Sequence, residues 1–101
     1  MFYQIVSFTF PEDLDARERG EFEASLRDLP NNIAELSDVR VARAHDDQNV
    51  TGYISVFGSE SDYQAYLKHP AHAPVGERAG VLCSGITRLL MDDTSSSVLA
   101  T

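Results

Sequence analysis

Two of the three histidines of this chain stand three residues apart in "YLKHPAHAPVG", Tyr66 to Gly76, a segment headed by a tyrosine. Imidazole changes charge near neutral pH and can take or give a proton, while a phenol can donate to a carbonyl oxygen or steady an oxyanion. His72 and Tyr66 are therefore the strongest candidates for proton transfer, His72 as general base and Tyr66 as hydrogen-bond donor. A plainer reading stands beside this one, in which His72 is a partly buried loop residue bonded to backbone and Tyr66 belongs to the core. His69 and His72 have a spacing that two metal ligands can use, but Pro70 disturbs the geometry between them. A third ligand could come only from His45, Asp46 or Asp47, if folding brought them near, so no metal is expected. Cys83 lacks a basic neighbour and reads as a small buried residue rather than a nucleophile. No phosphate-cradling glycine loop or dinucleotide fingerprint is present, and no cofactor is expected.

Around such a pair, a ligand would need an apolar lining. Phe2, Phe8, Phe22, Phe57, Tyr63 and Tyr66 can converge between sheet and helices, mostly as core. Gln4 is the odd polar residue on the strand face of Phe2, Val6 and Phe8, and is either a satisfied edge residue or a pocket group. The set expected around a ligand is Gln4, Val6, Phe8, Phe22, Leu26, Phe57 and His69.

The elements that must position these residues follow from periodicity. Phe2 to Phe10 is rich in aromatic and β-branched residues and reads as a strand. A helix is expected from Pro11 to about Leu29, with Phe22, Leu26, Leu29 and Ile33 on one stripe and "PNNIAELSD" as linker. Strands follow at Val39–Ala44 and Gly52–Phe57. Ser61 and Gln64 have the form of a capping box, so a helix is expected from there to about Lys68, because His69 precedes a proline. Val75, Ala79 and Leu82 suit a short helical segment, and Ser84 to Met91 is the last strand. The order is β-α-β-β-α-β, a ferredoxin-like α+β fold with helices on one face of a four-stranded antiparallel sheet. One domain is expected over residues 1–92, with a tail at 93–101. Several strands carry apolar side chains on both faces, such as Ile5 and Tyr3 opposite Val6 and Phe8. A half-solvated sheet should alternate apolar with polar, so the second face needs a cover, and a homodimer with sheets face to face supplies it.

With 101 residues the chain is near the small end of what buries a self-sufficient core. Its net charge of −8, with 16 acids against 8 scattered bases, disfavours nucleic acid and anionic membranes as partners. No apolar run approaches the roughly 20 residues that span a bilayer. The opening "MFYQIVSFTF" lacks the pattern of a signal peptide, and the lone cysteine fits a reducing compartment, so a cytoplasmic location is expected.

The run "SESDYQAYLKHPAHAPV", placed between a strand ending at Phe57 and a final "SGITRLLMDD", resembles the stress-responsive A/B barrel (Dabb) family, whose most recognisable phrase is Y-x-x-HPAH. The resemblance covers roughly Phe2 to Asp92 and implies a homodimer whose sheets close into an α+β barrel. The family is functionally mixed. One characterised plant member closes a linear polyketide by aldol condensation without a cofactor, using the second histidine of HPAH as base and the tyrosine six residues earlier as its partner. Those positions are His72 and Tyr66 here, while His69 is the first histidine, expected to be structural. A strand-one histidine of that member falls on Gln4, a strand-three histidine near Thr51, and a tyrosine of its first helix on Leu26. The resemblance thus implies a small, partly apolar carbonyl compound as ligand and cofactor-independent cyclase, isomerase or lyase chemistry. The alternatives are a non-catalytic stress or binding protein, and a cofactor-free monooxygenase.

Overall fold

Strand β1 (Phe2–Thr9) buries every second residue, Phe2, Gln4, Val6 and Phe8, and leaves Tyr3, Ile5, Ser7 and Thr9 half-buried. The computed structural model describes residues 1–93; the expected tail lies outside the described residues from 94 onward. The remaining elements are α1 (Ala16–Asn32), β2 (Leu36–Arg43), β3 (Val50–Phe57), α2 (Glu60–Lys68), α3 (His72–Leu82) and β4 (Gly85–Asp92). The sheet order is β2-β3-β1-β4 with every pair antiparallel, the ferredoxin-like arrangement. Residues opposite one another in antiparallel strands share a face, so register dictates which side chains meet. One row over the helix-facing side runs Val41, Tyr53, Val6, Arg88, and the next runs Val39, Ser55, Gln4, Leu90.

Helix α1 begins later than expected. Pro11 closes a turn in which the Leu14 amide donates to the Pro11 carbonyl at 3.1 Å. Asp15 caps the helix, accepting from the Arg17 amide at 2.8 Å and satisfying one of the orphan donors of the first turn. The helix also runs on through Pro30 to Asn32. Pro30 sits in the last turn, where it withholds the amide that would bond the Leu26 carbonyl, and Asp28 accepts from the side chains of Asn31 and Asn32 at 2.9 and 3.0 Å. The expected stripe is present: Phe22, Leu26, Leu29 and Ile33 are all buried. Each such side chain contributes about 1.5–3 kcal/mol of transfer free energy.

At α2 the cap is Ser59 rather than Ser61; its hydroxyl accepts from the Asp62 amide at 3.2 Å. The segment expected after Lys68 as a short helical stretch is a full third helix of 11 residues, α3, and His72 is its first residue rather than a loop residue. Strand β2 starts at Leu36, earlier than expected, because Leu36 is buried opposite Phe57.

Two buried polar groups tie α1 to the sheet. Glu23 accepts from Arg43 at 2.8 and 3.1 Å and from the Thr51 hydroxyl at 2.7 Å, and Arg19 donates to the same hydroxyl at 2.9 Å. Burial pushes the Glu23 carboxyl up, but the hydrogen bonds from Arg43 and Thr51 and the charges of Arg43 and Arg19 outweigh it, so the acid is held below its ordinary range. The opposite face of the sheet carries Ile54, Leu89 and Met91 exposed beside Tyr3, Ile5 and Val56, with no element of the described chain over them.

Candidate functional site

A cavity of about 110 Å³ opens between the sheet, α1 and the α2–α3 junction. Strand β1 supplies Gln4, Val6 and Phe8; α1 supplies Phe22 and Leu26; α2 supplies Tyr66; and α3 supplies His72, Val75, Gly76 and Ala79. Tyr53 of β3 and Ile86 and Arg88 of β4 complete it. The local sequence explains why His72 faces inward. Lys68 ends α2, the His69–Pro70 step is extended, and α3 starts on His72, with the His72 amide donating to the His69 carbonyl at 3.0 Å. Once a helix begins there, residues 72, 75, 76 and 79 form one stripe.

The Tyr66 ring lies 4.5 Å from the His72 ring, centroid to centroid, tilted by 57°. Its hydroxyl is 3.1 Å from the Tyr53 hydroxyl, and either oxygen can donate. A pair of hydroxyls uses one proton between them, so the other O–H is available to a ligand in the cavity they both line. Burial pushes both phenols above their ordinary range, and for Tyr66 the neighbouring Tyr53 adds to the shift. Neither is a base at neutral pH; both are donors. The His72 imidazole is held below its ordinary value, first by burial and second by the charge of Arg88, with a backbone interaction at Leu67 acting the other way. It is therefore neutral at pH 7 and able to accept a proton.

Of the residues expected around a ligand, Gln4, Val6, Phe8, Phe22 and Leu26 line this cavity together with Tyr66 and His72. Phe57 and His69 do not. Phe57 is fully buried behind the wall, its ring 5.0 Å from that of Tyr66. His69 caps α2, and its Nδ1 accepts from the Ala71 amide at 3.0 Å, which fixes the HPAH turn. Gln4 is both satisfied and part of the lining: its amide nitrogen donates to the Tyr63 hydroxyl at 3.4 Å and its oxygen accepts from Ser55 at 3.1 Å. Thr51 is engaged by Glu23 and Arg19, away from the cavity.

Tyr53 and Arg88 were missed by residue-type reasoning, although alternation carries both. Tyr53 lies four before Phe57 on the inward face, and Arg88 lies between Ile86 and Leu90, which share a face with it in a strand. Cys83 is half-buried at the C-terminus of α3, its thiol pushed up to about 11 by burial. Among the described residues, no three His, Cys, Asp or Glu side chains form a group that could hold a metal, and no helix is long and apolar enough to cross a membrane.

Solved structures share this architecture at low sequence identity. At3g17210 from Arabidopsis thaliana superposes with a TM-score of 0.83 at 16% identity, covering 94% of this chain and 97% of that one. A hydroxynitrile lyase from Passiflora edulis gives 0.77 at 16% identity, covering 92% and 95%. A dimeric ferredoxin-like protein of unknown function from Jannaschia gives 0.74 at 22% identity, covering 91% and 99%. No curated protein matches the sequence. The sequence profile of the stress-responsive A/B barrel domain matches residues 2–94, and with the fold and the HPAH junction now described, the chain belongs to that family.

Proposed function

We propose that this protein binds a small, partly apolar carbonyl compound and moves a proton on it without a cofactor, with His72 as general base and Tyr66 as hydrogen-bond donor. The observation that carries this reading is the 4.5 Å approach of the Tyr66 and His72 rings on the wall of one cavity. His72 takes a proton from the carbon beside the carbonyl; the C–H electron pair forms a carbon–carbon double bond, and the carbonyl π pair moves onto oxygen. There the spare hydroxyl proton of the Tyr66–Tyr53 pair steadies the enolate, an interaction stronger with the charged oxygen than with the neutral carbonyl. Return of the proton to another carbon is an isomerisation, attack of the enolate on a second carbonyl a cyclisation, and expulsion of a leaving group a lyase reaction. A cavity of about 110 Å³ is somewhat smaller than the roughly 150 Å³ that encloses a benzene ring. It suits a short carbonyl compound better than an extended polyketide.

The working unit in this reading is a homodimer. Exposed Ile54, Leu89 and Met91, at 40%, 54% and 41%, are large apolar groups on one uncovered face, and a second copy would bury them sheet against sheet. The Jannaschia protein of the same fold is described as dimeric, and the Passiflora protein is a lyase; both support the reading by analogy of fold.

The test is deuterium exchange at the α-carbons of small ketones in D2O, followed by NMR. The protein should accelerate exchange over buffer, and His72→Ala should abolish the acceleration. Equal rates for the two proteins would overturn the assignment of the base.

A further inference from the structure

Arg88 is the one charged side chain besides the titratable His72 on a cavity wall otherwise made of apolar groups, phenols and an amide. It stands on β4 directly across from Val6, in the row that also holds Tyr53. Among the described residues it makes neither an ion pair nor a hydrogen bond; Arg17, Arg19, Arg40 and Arg43 pair with carboxylates, and Arg27 and Arg78, also without ion pairs, stand away from the cavity. No Asp or Glu lines the cavity, in a chain that carries 16 of them. Arg88 is itself exposed, at the solvent-facing side of the cavity, and an unpaired guanidinium there offers a fork of donors that matches a carboxylate. Its field reaches both reacting groups, since the Arg88 charge pulls down the affinity of His72 and of the Tyr66 oxygen for a proton.

From this geometry we infer that the cavity selects carbonyl compounds bearing a carboxylate, with Arg88 holding the anion while the carbonyl faces Tyr66 and the α-carbon faces His72. The inference rests on the proton-transfer reading for its second half, and its anion-binding half stands independently. Arg88 is then both the residue that chooses a keto acid over a neutral ketone and the cation that favours the enolate.

Levulinate and its methyl ester are suitable probes, being of nearly equal size and differing by one charge. Binding is followed by shifts of the Tyr66 and His72 resonances on titration, and proton transfer by α-deuterium exchange. The wild-type protein should bind levulinate about tenfold or more tightly than the ester. Arg88→Gln should erase that gap by weakening levulinate alone, and Arg88→Lys should keep part of it. His72→Ala should leave the binding preference intact while removing exchange. If the ester binds as well as the acid, if neither probe shifts the cavity resonances, or if the preference survives Arg88→Gln, the anion site is wrong. If the preference behaves as expected but exchange is unchanged by His72→Ala, the anion site stands and the proton-transfer reading falls.

Discussion

The imidazole of His72 lies across Gly76, one turn further along α3, so that a Cβ at position 76 would stand 3.4 Å from Cε1 and 3.9 Å from both ring nitrogens. A hydrogen at this position leaves the ring its place against Tyr66. Gly76→Ala should raise helix stability by up to about 1 kcal/mol, since the added methyl meets the ring only at contact distance. Gly76→Leu should turn the imidazole out of the cavity and cut α-proton exchange at least as far as His72→Ala does. Thermal melts and exchange rates, measured together, separate the two effects; an active Gly76→Leu protein would show that the ring has another support.

Loss of the base is expected to cost about 10²–10⁴-fold in exchange rate, the usual scale of general base catalysis. The rate should rise with pH as His72 loses its proton, with a midpoint below the ordinary imidazole value of 6.5. Arg88→Gln removes one of the two causes of that depression and should move the midpoint upward, which an NMR titration of the His72 ring reads directly.

Tyr66→Phe leaves the buried Tyr53 hydroxyl without its partner. A buried polar group so orphaned costs about 1–3 kcal/mol, and the variant should lose about that much stability in chemical denaturation as well as exchange more slowly. Tyr53→Phe orphans the Tyr66 hydroxyl in the same way, but it leaves that hydroxyl proton for the ligand. The activity loss should therefore be smaller than in Tyr66→Phe at a similar loss of stability.

Glu23 holds two arginines and a threonine with its carboxylate, and Glu23→Ala should destabilise the fold by about 3 kcal/mol in chemical denaturation, the low end for breaking a buried pair because the Arg43 side chain is 54% exposed. The pH dependence has a fixed sign. Glu23 titrates lower in the folded chain than unfolded, so its contribution is present above the unfolded value and is lost as pH falls through the folded one. His72, also depressed, acts in the same direction at higher pH: stability is full above the ordinary imidazole value and declines below it. Wild-type stability should thus fall in two stages on acidification, and His72→Ala should remove the first.

Ile54→Arg or Leu89→Arg places a charge in the uncovered apolar face. Either should convert a dimer into monomers in sedimentation velocity while leaving the helix-facing cavity in place. A wild-type protein that sediments as a monomer at micromolar concentration would remove the dimer from the proposed function.

Much of this architecture was legible from alternation: Phe2, Val6 and Phe8 inward, Ile5 and Tyr3 outward, and the Phe22–Ile33 stripe. Local chain ends were harder, because competing signals sat within a few residues. Pro11 has the right chemistry to open a helix, yet Asp15 offers a side-chain acceptor and wins. Ser61 begins a capping-box pattern, yet Ser59 already caps the first free amides. The candidate site was legible in its centre, since residue type alone picks out His72 and Tyr66, and both line one cavity. It was not legible at its rim, where Arg88 looks like any scattered base until strand pairing sets it beside Val6. Tyr53 was passed over because an inward aromatic on a strand is usually core, and here it is core and the hydrogen-bond partner of Tyr66 together.

Among the described residues strand β4 is an edge, bonded to β1 on one side and open on the other, and it carries Ile86 and Arg88 to the cavity lining. Its spare backbone groups are a template on which another extended segment can lie. A segment laid along that margin would lie against the same strand that presents Ile86 and Arg88, and so beside one wall of the cavity.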